Sequence, residues 1–115
     1  RSRRGGRVLV VDDDSLVRAS MLLALQDAGY EVAEAAGGLE ALEILRRGET
    51  DLLVTDFAMP GMTGAELARV ARSLQPELPV ILLTGYAEPT LGACPVPHVL
   101  VVLHKLSKSI FKYRL

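Results

Sequence analysis

The sequence predicts an α/β fold in which helices cover both faces of a parallel sheet. Short runs of Val, Leu and Ile alternate along the chain with longer segments in which apolar residues recur every three or four positions. Most of the short runs are continuously apolar, which is typical of strands that are buried on both faces. The chain has 115 residues, of which 50% are hydrophobic, so it can form one domain with a substantial core.

The first part of the chain predicts a strand, a helix and a second strand. The first strand covers residues 7–11, and the helix follows at 15–28. Asp14 can cap this helix, because its carboxylate can accept hydrogen bonds from the N–H groups of the first turn. Gly29 can end the helix, and the second strand is predicted at 30–35.

The rest of the chain continues the alternation until the region of the fourth helix. The predicted elements are a helix at 39–47, a strand at 51–56, a helix at 64–74, strands at 79–84 and 99–103, and a short last helix at 107–115. A helix is also expected between the last two strands. Because residues 87–97 contain three Pro residues and one Gly, we predict that this fourth helix is shortened or broken.

The first three helices are expected to bury their regularly spaced apolar residues against the sheet. These residues are Leu16, Val17, Met21, Leu23, Ala24 and Ala28 in the first helix, where the small polar Ser20 falls in the same stripe, Leu39, Leu42 and Leu45 in the second, and Leu67, Val70, Ala71 and Leu74 in the third. Strands that alternate with helices form βαβ units, whose right-handed crossovers divide the helices between two faces. We therefore predict a flavodoxin-like, doubly wound five-stranded parallel sheet in the order 2-1-3-4-5.

Composition and charge argue against several classes of function. The net charge of -1 gives no overall attraction to nucleic acid, and no apolar run approaches the roughly 20 residues that cross a bilayer. We expect no direct nucleic-acid partner and no membrane contact in this fragment. The single Cys94 cannot form an internal disulfide, which fits the reducing cytoplasm. Residues 1–6, rich in Arg and Gly, are interpreted as the remnant of a linker in a longer protein, and residues 7–115 as the domain.

Carboxylates stand at the ends of two strands that are neighbours in the predicted order. Asp12 and Asp13 follow the first strand, and Asp56 ends the third. Because like charges repel, a fold that gathers them favours a cation, and carboxylate oxygens suit a hard divalent metal. The sequence contains neither a glycine-rich phosphate loop nor a zinc-like spacing of His residues.

Two further polar residues can complete this site. Thr84 ends the fourth strand and Lys105 follows the fifth, so both are expected at the same edge of the sheet as Asp56. A hydroxyl can donate to a phosphoryl oxygen, and an ammonium can pair with its charge. Asp56 is then a candidate nucleophile that attacks phosphorus and forms an acyl phosphate. A metal held by Asp12 and Asp13 would lower the repulsion between the two anions, and Lys105 would stabilise the equatorial oxygens.

These residues, in this order along the chain, resemble those of a response-regulator receiver domain of bacterial two-component signalling. The resemblance rests on VLVVDD at 8–13, LVTDFAMPGMTG at 53–64, LTG at 83–85 and Lys105, and it covers about residues 7–105. It implies an aspartyl phosphate that is taken from the phosphohistidine of a histidine kinase or a phosphotransfer domain. Such a domain is not an enzyme beyond its own phosphorylation and dephosphorylation.

The resemblance also implies a role for each site residue. It implies that Mg²⁺ is bound by Asp13, Asp56 and the backbone carbonyl of Ala58, with Asp12 acting largely through water. It implies that Thr84 moves toward the phosphoryl group and shifts the region of the fourth and fifth strands.

Two departures from the family pattern fall near the fifth strand. Leu106 stands where the family usually has a Pro joined by a cis peptide, and a cis bond before another residue costs roughly 2.5–4 kcal/mol. We therefore expect a trans peptide bond between Lys105 and Leu106, and a different direction of the loop that holds Lys105. Val102 stands where the family often has an aromatic switch residue. Both lie on the fourth-helix and fifth-strand face, which the family often uses for dimerisation, so any homodimer is expected to use that face.

Three functions stay open from the sequence. The first is a phosphoryl-accepting signalling module, as the receiver of a hybrid sensor kinase or as a stand-alone regulator. The second is a degenerate receiver that acts as a phosphorylation-independent interaction module, which Leu106 and Val102 favour and the complete acidic triad opposes. The third is an acid-nucleophile phosphohydrolase, which usually has a second Asp where this chain has Ala58.

Overall fold

The fold is a parallel sheet between two layers of helices. The computed structural model describes residues 6–84 and 99–103, and for Thr84 and residues 99–103 it describes the backbone only. The described elements are β1 (Arg7–Val11), α1 (Ser15–Asp27), β2 (Glu31–Ala35), α2 (Gly38–Leu45), β3 (Leu52–Asp56), α3 (Gly64–Leu74), β4 (Val80–Thr84) and β5 (Val99–Leu103). All strand pairs are parallel and the sheet order is β2-β1-β3-β4-β5, so the predicted fold class is confirmed.

The element boundaries lie within two residues of the predicted ones. The largest difference is in α2, which ends at Leu45 and not at residue 47. The predicted break in the fourth helix, the last helix at 107–115 and most of the linker at 1–6 lie outside the described residues.

Polar side chains fix the starts of the two longer helices. The Asp14 carboxylate accepts from the N–H groups of Leu16, at 2.9 Å, and Val17, at 3.3 Å, so the predicted cap of α1 is confirmed. In α3 the Thr63 hydroxyl accepts from the Glu66 N–H, and the Glu66 carboxylate accepts from the Thr63 N–H in return. This capping box sets the direction in which the chain enters α3 directly after the loop that follows β3.

The core is divided by the sheet into two hydrophobic clusters. Consecutive residues of the central strands belong to different clusters, which explains why their sequence is continuously apolar. One cluster contains α2 and α3 residues together with Leu9, Val11 and Leu53, and the other contains α1 residues together with Val8, Val10 and Val54. The described helices are thus divided between the two faces, as the doubly wound fold requires.

The predicted inward faces of the helices are partly wrong. Leu16 and Leu23 of α1 and Leu39 of α2 are exposed, at 81%, 67% and 78% of their surface. In α1 the buried residues are Met21 and Leu25, with Val17 packed beside them. The segment is apolar on more than one side, so spacing alone predicts several stripes, and contact with the sheet selects only one.

The third helix shows the same effect. Val70 and Leu74 are exposed, whereas Leu67, Ala68 and Ala71 are buried. The side of α3 that faces the core carries Leu67 together with the small Ala68 and Ala71, and the opposite side carries Val70 and Leu74.

Candidate functional site

The acidic residues at the ends of β1 and β3 lie together. The two strands pair in parallel with Val11 opposite Thr55, so the chain reaches Asp12 and Asp56 side by side at the next position. One carboxylate oxygen from each of Asp12, Asp13 and Asp56 lies within 4.8 Å of the others. The strand order therefore brings together the three carboxylates that the sequence predicted as neighbours.

The three carboxylates differ in exposure. Asp12 is fully buried and Asp56 is 2% exposed, whereas Asp13 is exposed to solvent. Buried carboxylates are costly unless a cation or hydrogen bonds stabilise them. A set of hard oxygen donors with one open side suits Mg²⁺, which keeps some of its water when it binds to protein. The chemistry of these donors therefore fits the cation that the sequence predicted.

The loop after β1 is held by several hydrogen bonds. The Asp12 side chain accepts from the Asp14 N–H at 2.9 Å, and the Asp12 N–H donates to the carbonyl of Ala35 at 3.2 Å. Arg18 donates to the backbone carbonyl of Asp12 at 2.6 Å and to the carboxylate of Glu34 at 2.8 Å. Sequence reasoning missed Arg18. The available signal was a cation one turn into a helix that follows three acidic residues.

The backbone around Asp56 is held from the neighbouring strand and from α3. The Phe57 N–H donates to the Leu83 carbonyl at 2.8 Å, and the Gly64 N–H donates to the Phe57 carbonyl at 2.7 Å. The buried hydroxyl of Thr55 donates to the Asp56 carbonyl at 3.1 Å. These contacts fix the end of β3 and therefore the base of the Asp56 side chain.

Gly64 permits a close approach between α3 and β3. A Cβ atom at this position would come closer than 3.0 Å to the Asp56 carbonyl oxygen, a distance that real Cβ atoms essentially never show. Only a glycine therefore lets the first residue of α3 lie against the backbone of Asp56. Sequence reasoning placed Gly64 at the start of this helix but assigned it no such contact.

The roles of all six predicted site residues stay predictions, and three of these residues, Thr84, Lys105 and Ala58, lie apart from the acidic cluster or outside the described residues. The Thr84 backbone ends β4 opposite Leu103, one position beyond the residue of β4 that pairs with Asp56. Lys105, with the Leu106 that follows it, lies outside the described residues. Ala58 is exposed in the loop after β3, two positions from Asp56.

No membrane span was found in the part of the chain that the structure describes. None of its helices combines the length and the apolar character that crossing a bilayer requires.

Comparison with known proteins gives the family. Residues 8–106 match the response regulator receiver domain. The sensor kinase CckA of Brucella abortus is 47% identical over 83 residues, which are 70% of this chain and 9% of that kinase. The chain therefore spans only a small part of that relative.

Two solved structures share this fold. The receiver domain of the hybrid histidine kinase CckA is 34% identical, with a TM-score of 0.77 and 93% of each chain covered. The response regulator TrrA of Thermotoga maritima, crystallised with Mg²⁺-BeF, is 33% identical, with a TM-score of 0.76 and 93% of this chain and 95% of that chain covered. Since the family match covers most of the sequence and the fold agrees with it, the chain belongs to the response regulator receiver domain family, whose members are signalling modules of two-component systems.

Proposed function

We propose that this domain accepts a phosphoryl group on Asp56 in a Mg²⁺-dependent reaction and passes a signal in a phosphorelay. The observation that carries the proposal is the meeting of three carboxylates at the carboxyl ends of two adjacent strands. Asp12, Asp13 and Asp56 each bring an oxygen within 4.8 Å of the others, and two of these residues are buried. A cluster of this kind both presents a nucleophile and offers hard ligands for a cation.

The reaction transfers a phosphoryl group between two side chains. A carboxylate oxygen of Asp56 forms a bond to phosphorus while the bond from phosphorus to the donor imidazole nitrogen breaks, and the imidazole leaves as the neutral ring after taking up a proton. Asp13, Asp56 and the carbonyl of Ala58 would hold Mg²⁺, with Asp12 acting through water. When bound, the cation would offset the charge that the two anions bring together.

We assign two supporting roles at the opposite rim of the site. The Thr84 hydroxyl donates to a phosphoryl oxygen, and the Lys105 ammonium pairs with the phosphoryl charge. Support for Thr84 comes from the register, which ends β4 beside the end of β3. Support for Lys105 comes from its place in the sequence, two residues after β5.

The proposed phosphoryl donor is the phosphohistidine of a histidine kinase or of a phosphotransfer domain. The similarity to CckA supports a receiver that belongs to a hybrid kinase. The single Cys94 fits the cytoplasmic location that we propose for it. TrrA, which shares the fold, was crystallised in complex with Mg²⁺-BeF, and this supports Mg²⁺ as the cation of the proposed reaction. The predicted dimer face includes residues outside the described ranges, and it stays a prediction.

The test of this proposal is incubation of the protein with Mg²⁺ and acetyl phosphate, followed by intact-mass measurement. We expect a gain of one phosphate that is lost in Asp56→Asn and in the absence of the metal. Asp27→Asn is the matched control, because Asp27 is an exposed carboxylate at the far end of α1 from the site, and it should retain the uptake.

The result also decides between the two signalling functions. If the wild-type protein binds Mg²⁺ but gains no phosphate, the domain is better explained as a phosphorylation-independent interaction module. Uptake that persists in Asp56→Asn would place the phosphate on another residue and would contradict the assignment of the nucleophile.

A further inference from the structure

Arg18 connects the acidic loop to the neighbouring strand. Its side chain is only 18% exposed and uses two different nitrogens. Nη1 donates to the backbone carbonyl of Asp12 at 2.6 Å, and Nε donates to the Glu34 carboxylate at 2.8 Å. Because the guanidinium is planar and rigid, two bonds of this kind fix both its position and its orientation.

The carbonyl that Arg18 binds belongs to the peptide that joins Asp12 to Asp13. A rotation of this peptide would move both carboxylates. The Arg18 N–H also donates to the Asp14 carbonyl at 2.9 Å, so this residue holds the loop from its backbone and from its side chain. Neither bond uses a carboxylate oxygen of the acidic cluster.

Glu34 anchors the other end of this connection. It lies in β2 directly opposite Val10 of β1, so its backbone position is fixed by the parallel pairing of the two strands. The chain of contacts runs from the sheet through the Glu34 carboxylate and the Arg18 guanidinium to the Asp12 carbonyl. These contacts therefore fix the position of the loop relative to the sheet, which also carries Asp56.

We propose that Arg18 is a positioning residue for the divalent-cation site, which it serves by fixing the peptide between Asp12 and Asp13. The proposal rests on the proposed function, since it assumes that these acids bind Mg²⁺. A residue that orients metal ligands through hydrogen bonds typically changes metal affinity when it is replaced.

A purely electrostatic role for Arg18 predicts the opposite result. A fixed positive charge beside the acidic cluster repels Mg²⁺, so its removal would strengthen cation binding if charge were its only effect. Loss of a positioning contact would weaken cation binding even when the charge is kept. Arg18→Lys keeps the charge but lacks the two-pronged geometry, and Arg18→Met removes both.

The experiment is a calorimetric titration of Mg²⁺ into the wild-type chain and into both variants. We expect Mg²⁺ affinity to fall about 10-fold in each variant. Arg7→Lys is the matched control, because Arg7 pairs with Glu31 at 2.8 Å and Glu49 at 2.5 Å at the opposite end of β1. Its Mg²⁺ affinity should stay within about twofold of the wild type, because its contacts are distant from the cation.

A kinetic measurement separates positioning from general damage to the fold. With acetyl phosphate, the Mg²⁺ concentration for half-maximal rate should rise about 10-fold in Arg18→Lys, whereas the maximal rate at saturating Mg²⁺ stays within about twofold. A maximal rate that fails to recover would identify Arg18 as a general structural residue and would overturn the proposal.

The outcomes distinguish failure of this inference from failure of the proposed function. Wild-type affinity in Arg18→Lys, or tighter binding in Arg18→Met, would overturn the positioning role. If the wild-type chain shows no Mg²⁺ binding at all, the proposed function itself fails.

Discussion

Replacement of Gly64 by Ala tests whether the approach of α3 to β3 sets the position of Asp56. The new Cβ would clash with the Asp56 carbonyl oxygen and would lie 2.7 Å from Cδ1 of the buried Leu82 and 2.9 Å from the Asp56 carbonyl carbon. Ordinary contact begins at 3.4 Å. The side chain of Leu82 can adjust, but the Asp56 backbone is part of a central strand and is bonded to β4 through Phe57.

The expected cost follows from two opposing effects. Forcing a methyl group into a packed contact costs about 1–3 kcal/mol. The same change lowers the conformational entropy of the unfolded chain and favours the helix, which returns about 0.5–1 kcal/mol. The clash is the larger effect because two of the three contacted atoms belong to the backbone. We expect a net loss of about 1–2 kcal/mol, which lowers Tm by about 4–8 °C in a domain of this size.

The assay combines thermal unfolding with the rate of phosphorylation by acetyl phosphate. We expect the rate in Gly64→Ala to fall at least about 10-fold, because small displacements of reacting groups are costly in rate. Gly38→Ala is the matched control, since Gly38 also begins a helix, and its new Cβ would contact the flexible side chain of Met62, with Sδ at 2.5 Å. The end of the Met62 side chain can rotate away, and its Cβ, at 3.0 Å, has to shift by only a few tenths of an ångström. None of these atoms belongs to the Asp56 backbone, so this variant should keep the rate.

Two results would refute this reasoning. One is a Gly64→Ala protein that melts within about 2 °C of the wild type and is phosphorylated at the wild-type rate. The other is a Gly38→Ala protein that loses more activity than Gly64→Ala, which would show that the contact with Asp56 is not the sensitive one.

The remaining predictions concern stability and are measured by urea unfolding. Thr63→Ala removes the hydroxyl that accepts from the Glu66 N–H and should cost about 1 kcal/mol, whereas Thr63→Ser keeps the cap and should stay near the wild type; equal losses in the two variants would contradict the capping role. Leu9→Ala empties a fully buried position and should cost about 2–5 kcal/mol, whereas Leu16→Ala at an 81% exposed position should stay within about 0.5 kcal/mol. A large loss of stability in Leu16→Ala would mean that the Leu16 side chain is packed against other residues and is not exposed.

The sheet could be predicted from the sequence because each strand carries its own signal. Four of the five apolar runs are short and continuous, whereas Glu31 and Glu34 interrupt the run of β2, which was predicted around Val32 and Ala33. Asp14, Gly29 and the loop before Gly64 separate the strands from the helices. The βαβ alternation predicted a parallel sheet, and the flavodoxin-like order that suits such a chain placed Asp12 beside Asp56. The inward faces of the helices could not be predicted as well, because the spacing offers several apolar stripes and only contact with the sheet selects one of them.

The supporting residues of the site were harder to predict than its carboxylates. Arg18 and Gly64 act on backbone carbonyls, of Asp12 and Asp56 respectively, and such contacts have no fixed spacing in sequence. The Asp residues, in contrast, act through their own side chains. They stand at the ends of strands, where an apolar run gives way to charged residues, and this change is visible in the sequence.

The charges at the two ends of the sheet are organised differently. At its amino end, Arg7 contacts both Glu31 and Glu49, and its hydrogen bond to Glu31, followed by the charge of Glu49, holds the pKa of Arg7 above its usual value.

At the carboxyl end, the charge of Arg18 is offset by Glu34, with which it forms an ion pair. The pair therefore fixes the shape of the acidic loop and adds little net charge to it. Three carboxylates meet beside it, two of them buried, and their mutual repulsion is not cancelled by this pair. A bound divalent cation can then serve both as the counter-charge for these acids and as the partner of an incoming phosphoryl group. Titration of Mg²⁺ into the wild-type chain therefore tests the charge of this site, and titration into the Arg18 variants tests its geometry.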